Sequence, residues 1–116
     1  MAKELLLVRH GLTEAPSFET KDHKRNLTRP GIDQLERLAN ILKINGQICN
    51  HLVYSPANRC KQSAKILTDK LDIDKSTVVN EIYQADKDVL LQVLQGFGLE
   101  DNHVMMVGHN PGVSHL

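Results

Sequence analysis

Short unbroken apolar runs alternate with helix-patterned stretches along the whole chain, and few folds accommodate that rhythm. Leu5-Leu6-Leu7-Val8, His51-Leu52-Val53-Tyr54, Thr77-Val78-Val79 and Val104-Met105-Met106-Val107 are too short for helices. They lack the apolar-polar alternation of a half-exposed strand, so they read as strands buried on both faces. Between the first two, Thr28 caps a helix with Pro30 in its first turn. Ile32, Leu35, Leu38, Ala39 and Leu42 recur at helical spacing and Asn45-Gly46 ends it. Ser55-Pro56 reads as a cap and first-turn proline opening a second helix that buries Ala57, Cys60, Ala64, Leu67 and Leu71. Asp86 caps a third, with Val89, Leu90, Val93, Leu94 and Phe97 as its apolar stripe and Gly96 and Gly98 as its end. Thr13 to Lys24 is polar and aperiodic and reads as an irregular surface loop. Strand-helix alternation predicts an α/β fold, a three-layer α/β/α sandwich around a mostly parallel sheet.

At 116 residues, with no linker, repeat or low-complexity tract, the chain forms one domain spanning 1–116. Fourteen acidic and fourteen basic residues cancel, which argues against nucleic acid or an anionic membrane surface as partner, so any anion site has to be built locally. The two cysteines, Cys49 and Cys60, form no CxxC pair and suggest a reducing cytoplasm. No apolar stretch is long enough to span a bilayer, and Met1-Ala2-Lys3-Glu4 opens no secretory leader. Asn110-Pro111-Gly112-Val113 has the form of a helix start, yet the sequence stops at Leu116 and reads as truncated.

In open α/β sheets, ligands sit beyond the carboxyl ends of the strands. Arg9 and His10 follow the first strand, Arg59 lies in the turn after the second, Glu81 follows the third and His109 the fourth. Arginine forks match phosphate oxygens, and helix amino-termini add oriented N–H donors. A histidine with an ordinary pKa of about 6.5 is largely neutral at pH 7 and can attack phosphorus. His10 is the expected nucleophile, Arg9, Arg59 and His109 the expected phosphate clamp, and Glu81 the candidate general acid. Arg25 and Gly11 are further substrate-binding candidates. His23, His51, His103 and His115 lack metal-ligand spacing, and no metal or cofactor is implied.

These residues fall in three segments: Leu7-Val8-Arg9-His10-Gly11, Ser55 through Ala64, and Val107-Gly108-His109-Asn110-Pro111. In order and context they resemble the signature segments of the histidine phosphatase, or phosphoglycerate-mutase-like, superfamily. Arg25-Asn26-Leu27-Thr28 with Gly31 and Gln34 resembles the arginine-proline-leucine-threonine segment of the SixA-type phosphohistidine phosphatase branch, with Asn26 where proline is usual. The resemblance implies His10 as nucleophile and Arg9, Arg59 and His109 as the phosphate pocket. It also implies a further helix and strand after the second histidine, which this sequence lacks.

Three functions fit. The first is removal of phosphate from phosphohistidine in a partner protein, whose imidazole leaving group needs little acid assistance. The second is hydrolysis or mutation of small phosphate esters, which would depend on Glu81. The third is a module that binds phosphorylated partners without turnover.

Overall fold

The computed structural model describes residues 4–83, 85–95 and 103–109. Its elements run β1 (Glu4–Arg9), α1 (Arg29–Ile44), β2 (Cys49–Tyr54), α2 (Asn58–Lys70), β3 (Ile73–Val78), α3 (Lys87–Gln95) and β4 (His103–Gly108). The four strands form one sheet in the order β1-β4-β2-β3, and every pairing is parallel. Successive residues of each strand face opposite layers. Leu52, Met105 and Val107 pack with Leu35, Ala39, Leu42, Cys60, Ala64 and Leu67 of α1 and α2, whereas Val53, Val104 and Met106 pack with Leu90 of α3 and with Ile82. Both faces are therefore covered, as the uninterrupted apolar runs require. Each such fully buried aliphatic side chain contributes about 1.5–3 kcal/mol relative to exposure.

Thr28 caps α1 as its sequence implies, its Oγ1 accepting the Gly31 N–H at 3.2 Å. Asp86 likewise accepts the Val89 N–H at 3.0 Å ahead of α3. Three sequence expectations shift. Helix α2 begins at Asn58, not directly after Ser55, because the Ser55 hydroxyl is engaged elsewhere and Ala57 is the N-cap without a side-chain bond. The third strand runs from Ile73 to Val78 and is almost wholly exposed; an edge strand needs no apolar run, so Asp74, Lys75 and Ser76 concealed its start. The loop before α1 holds a 3-10 turn, Asp22–Lys24, and a single antiparallel bridge between Thr13 and Leu27. The expected end of α3 at Gly96 to Gly98, the helix start at Asn110 to Val113 and His115 lie outside the described residues, as does the side chain of Leu94.

Candidate active site

Parallel pairing aligns the ends of β1 and β4, with Arg9 opposite Gly108, so His10 and His109 emerge side by side. Their ring centroids lie 5.5 Å apart at 62°, a gap one tetrahedral anion can bridge. The His10 amide donates to the Gly108 carbonyl at 3.3 Å, extending the ladder by one bond and fixing the backbone at the nucleophile candidate. The His10 Nδ1 lies 2.7 Å from the Gly11 carbonyl oxygen. A carbonyl can only accept, so Nδ1 carries the proton and Nε2 keeps its lone pair. Burial lowers the His10 pKa, and the charges of Arg59, Arg9 and Arg25 add to the effect. The imidazole is thus neutral at pH 7, as an attacking base has to be.

His109 is buried and held from one side. Its Nε2 lies 2.7 Å from the Ser55 Oγ and 3.5 Å from the Cys60 Sγ, which also stands 4.0 Å from Nδ1. Burial, followed by the Arg59 charge, pushes His109 down to about 4. The Cys60 thiol is driven the other way, to about 12, by burial; it is a packing group and no nucleophile.

Arg59, in the first turn of α2, is 5% exposed and opposes the helix dipole, so it needs an anion. Asp22 supplies one: Arg59 Nη1 donates to the Asp22 carbonyl at 2.8 Å and Nη2 to its carboxylate at 3.0 Å. Arg59 Nε is buried without a partner among the described residues. Tyr83 completes the cluster. Its ring stands edge-on to His109 at 5.5 Å, lies 6.0 Å from the Arg59 guanidinium carbon, and its hydroxyl donates to Asp22. Arg9 is exposed at the pocket mouth, and a cleft of about 330 Å³ opens beside it, lined by Arg9, His10, Gly11, Leu12, Thr13 and Gln34.

A model described as the histidine phosphatase superfamily (branch 1) matches residues 5–84, well over half of the sequence. The chain belongs to the histidine phosphatase superfamily. Among solved structures, it is similar to a phosphohistidine phosphatase SixA of Agrobacterium tumefaciens, with 24% identity, a TM-score of 0.91, and coverage of 99% of this chain and 73% of that one. A SixA protein histidine phosphatase complexed with tungstate matches at 26% identity and TM-score 0.86, covering 97% of this chain and 72% of that one. A SixA structure from Nakamurella multipartitia gives 24% identity and TM-score 0.82, with 96% of this chain against 61% of that one. No curated protein matches the sequence.

Within this superfamily member, the structure gathers His10, Arg59 and His109 with Arg9 at the rim, and it separates out the other candidates. Arg25 has its donors taken up inside its own loop, by Thr13 Oγ1, the Glu14 carbonyl and Asp22 Oδ1, while its charge still reaches His10 and His109. Gly11 has a packing role. Its amide donates to Ser63 Oγ at 3.4 Å, and a Cβ there would lie 2.5 Å from the Gly31 carbonyl oxygen. Glu81 is exposed in the short 3-10 turn Asn80–Ile82, and that turn carries Tyr83, rather than Glu81, to His109.

Asp22, Tyr83 and Ser55 are cluster residues that local sequence patterns do not mark as functional. Asp22 sits in an aperiodic loop, where no pattern marks one carboxylate above another. Tyr83 lies only two residues past Glu81 at the third strand's end, and its position on that rim is the available signal.

The depressed His109 pKa predicts a pH effect on stability. The unfolded chain takes up this proton near pH 6.5 while the folded chain resists until about 4. Stability is therefore full above about pH 6.5 and falls as pH drops through that window, by roughly 3 kcal/mol for this group. Urea unfolding from pH 7.5 to 4.5 should show the decline, and His109→Gln should flatten it; parallel curves for the two proteins would refute the assignment.

Proposed function

We propose that this protein is a phosphatase that carries the phosphoryl group transiently on His10 Nε2, with phosphohistidine in a partner protein as its substrate class. The observation that supports it most is the His10 Nδ1 bond to the Gly11 carbonyl at 2.7 Å, which frees Nε2 beside His109 and Arg59. In the first step Nε2 attacks phosphorus in line, the bond from phosphorus to the substrate's imidazole nitrogen breaks, and the departing imidazole takes a proton from solvent. Water then attacks phospho-His10, the P–Nε2 bond breaks, and inorganic phosphate leaves. Arg9, Arg59 and His109 stabilise the equatorial oxygens in both steps.

Two features favour phosphohistidine over an alkyl ester. Glu81 stands exposed, outside the pocket cluster, and an imidazole leaves without the acid an alkoxide needs. Arg9 is exposed and His10 only partly buried, which suits a phosphoryl group borne on a protein surface. The tungstate bound to the SixA relative is a tetrahedral oxyanion of the kind this pocket would hold. Both cysteines are free and buried, which fits action in a reducing cytoplasm.

The test is chemical trapping. After incubation with a labelled phosphohistidine peptide and an alkaline quench, the label should be found on His10, and the peptide should turn over faster than an alkyl phosphate. Saturable binding without phosphate release would replace the enzyme with a binding module. Faster turnover of the alkyl phosphate would move the substrate to small esters.

A further inference from the structure

The charge at the floor of the pocket is already partly neutralised from within. Asp22 takes both terminal nitrogens of Arg59 through its carbonyl and carboxylate, and it also receives Arg25 Nη2 at 2.7 Å and the Tyr83 hydroxyl. The Tyr83 hydrogen bond, then those from Arg25 and Arg59, hold its carboxyl far below the usual carboxylate range, so it is ionised at any working pH. The turn that bears it is short and docks on α2 by polar bonds, with Asn58 Nδ2 donating to the Lys24 carbonyl at 3.2 Å and Gln62 Oε1 accepting the Leu27 amide at 2.7 Å. The carboxylate is 40% exposed, whereas the Arg59 side chain it meets is only 6% exposed. An exposed anion is thus tethered to a buried cation by a loop.

We propose that Asp22 is the pocket's built-in competitor anion: it yields part of Arg59 to the incoming phosphoryl group and takes it back when phosphate departs. This rests on the phosphatase reading above. Arg9, Arg25 and Arg59 with Asp22 leave a net charge of two positive units around two neutral histidines, which balances a phosphoryl dianion. Without Asp22 the excess would be three, and inorganic phosphate, a product of the same charge, would be held too tightly to leave quickly. Asp22 therefore limits affinity for phosphate in exchange for fast release. Tyr83 reports on the exchange, because its hydroxyl hydrogen bond to Asp22 loosens when the carboxylate shifts.

Inhibition by inorganic phosphate in Asp22→Asn should tighten by about tenfold relative to the parent enzyme, while Asp22→Glu, which keeps the charge, should stay near the parent value. Unchanged or weaker inhibition in Asp22→Asn would overturn the proposal and leave Asp22 as a mere brace. Should Asp22→Asn fold poorly, the parent protein carries a second test. Titration with phosphate should perturb the near-ultraviolet tyrosine spectrum, and the signal should persist in Tyr54→Phe and vanish in Tyr83→Phe. No tyrosine signal at saturating phosphate would refute the exchange alone; a parent protein that binds no phosphate and takes no label on His10 would refute the phosphatase reading with it.

Discussion

Replacing His10 with alanine is expected to lower turnover by about 10⁴-fold or more while leaving the pocket able to bind a tetrahedral oxyanion. The two effects separate because the residue has two neighbours of different kinds. Toward the substrate it presents Nε2, the group that forms the transient bond in the proposed reaction, and among the described residues no other unprotonated nitrogen stands in the same position. His109 keeps Nε2 against Ser55 at 2.7 Å, and Cys60 is buried with its thiol protonated. Toward the protein, His10 makes one side-chain bond among the described residues, to the carbonyl of the next residue, so truncation removes little packing. Loss of turnover should therefore appear in kcat, with circular dichroism and thermal unfolding close to the parent. Tungstate or phosphate affinity should change by less than about tenfold, because Arg9, Arg59 and His109 are left in place. Turnover within a hundredfold of the parent, or loss of oxyanion binding together with activity, would remove His10 from the nucleophile's role.

How much of this was legible in the sequence depends on which force wrote each part. The strands β1, β2 and β4 and all three helices could be read because packing against helices leaves an apolar trace: His51 to Tyr54 and Val104 to Val107 for the two central strands, Leu5 to Val8 for the edge strand β1, and Leu35, Ala39 and Leu42 for the inner face of α1. Capping at Thr28 and Asp86 could be read for the same reason, since an orphan N–H at a helix start selects particular side chains. The other edge strand, β3, carries mainly polar side chains, so its beginning at Ile73 left no such trace.

The site divides along the same line. His10, Arg59 and His109 stand at the ends of elements that periodicity located, so topology brings them to one rim. Ser55 falls on that rim too, but its sequence context points to another task. As a residue before proline it has the sequence of a cap, yet its hydroxyl accepts the Ala57 amide at 3.3 Å and lies against His109. Asp22 and Tyr83 depend on how a polar loop folds back across thirty-seven residues to Arg59 and sixty-one to each other, a long-range electrostatic choice that local patterns do not encode.

Replacing Gly31 with alanine should destabilise the fold by about 3–5 kcal/mol, a large share of the roughly 5–15 kcal/mol that holds an ordinary domain together. Propensity alone gives the opposite sign, since alanine is the better helix former by about 1 kcal/mol. Space decides. A Cβ on Gly31 would sit 2.1 Å from the Leu12 carbonyl oxygen and 2.8 Å from the Leu12 nitrogen, both backbone atoms that no rotamer change can clear. Leu12 cannot withdraw cheaply, because α1 grips it on every polar atom. Its carbonyl accepts from the Thr28 amide at 2.9 Å and the Thr28 hydroxyl at 3.2 Å, and its amide donates to Gln34 Oε1 at 3.0 Å. Any shift that admits the methyl group breaks these bonds and moves Gly11 and His10, one and two residues upstream. The variant should therefore lose activity beyond what its folded fraction accounts for. Arg29→Ala, two residues away, removes only an exposed ion pair with Asp33 and should change stability by less than about 0.5 kcal/mol. Urea unfolding of both variants checks the contrast, and a Gly31→Ala protein as stable as the parent would mean that Leu12 does not lie where the fold puts it.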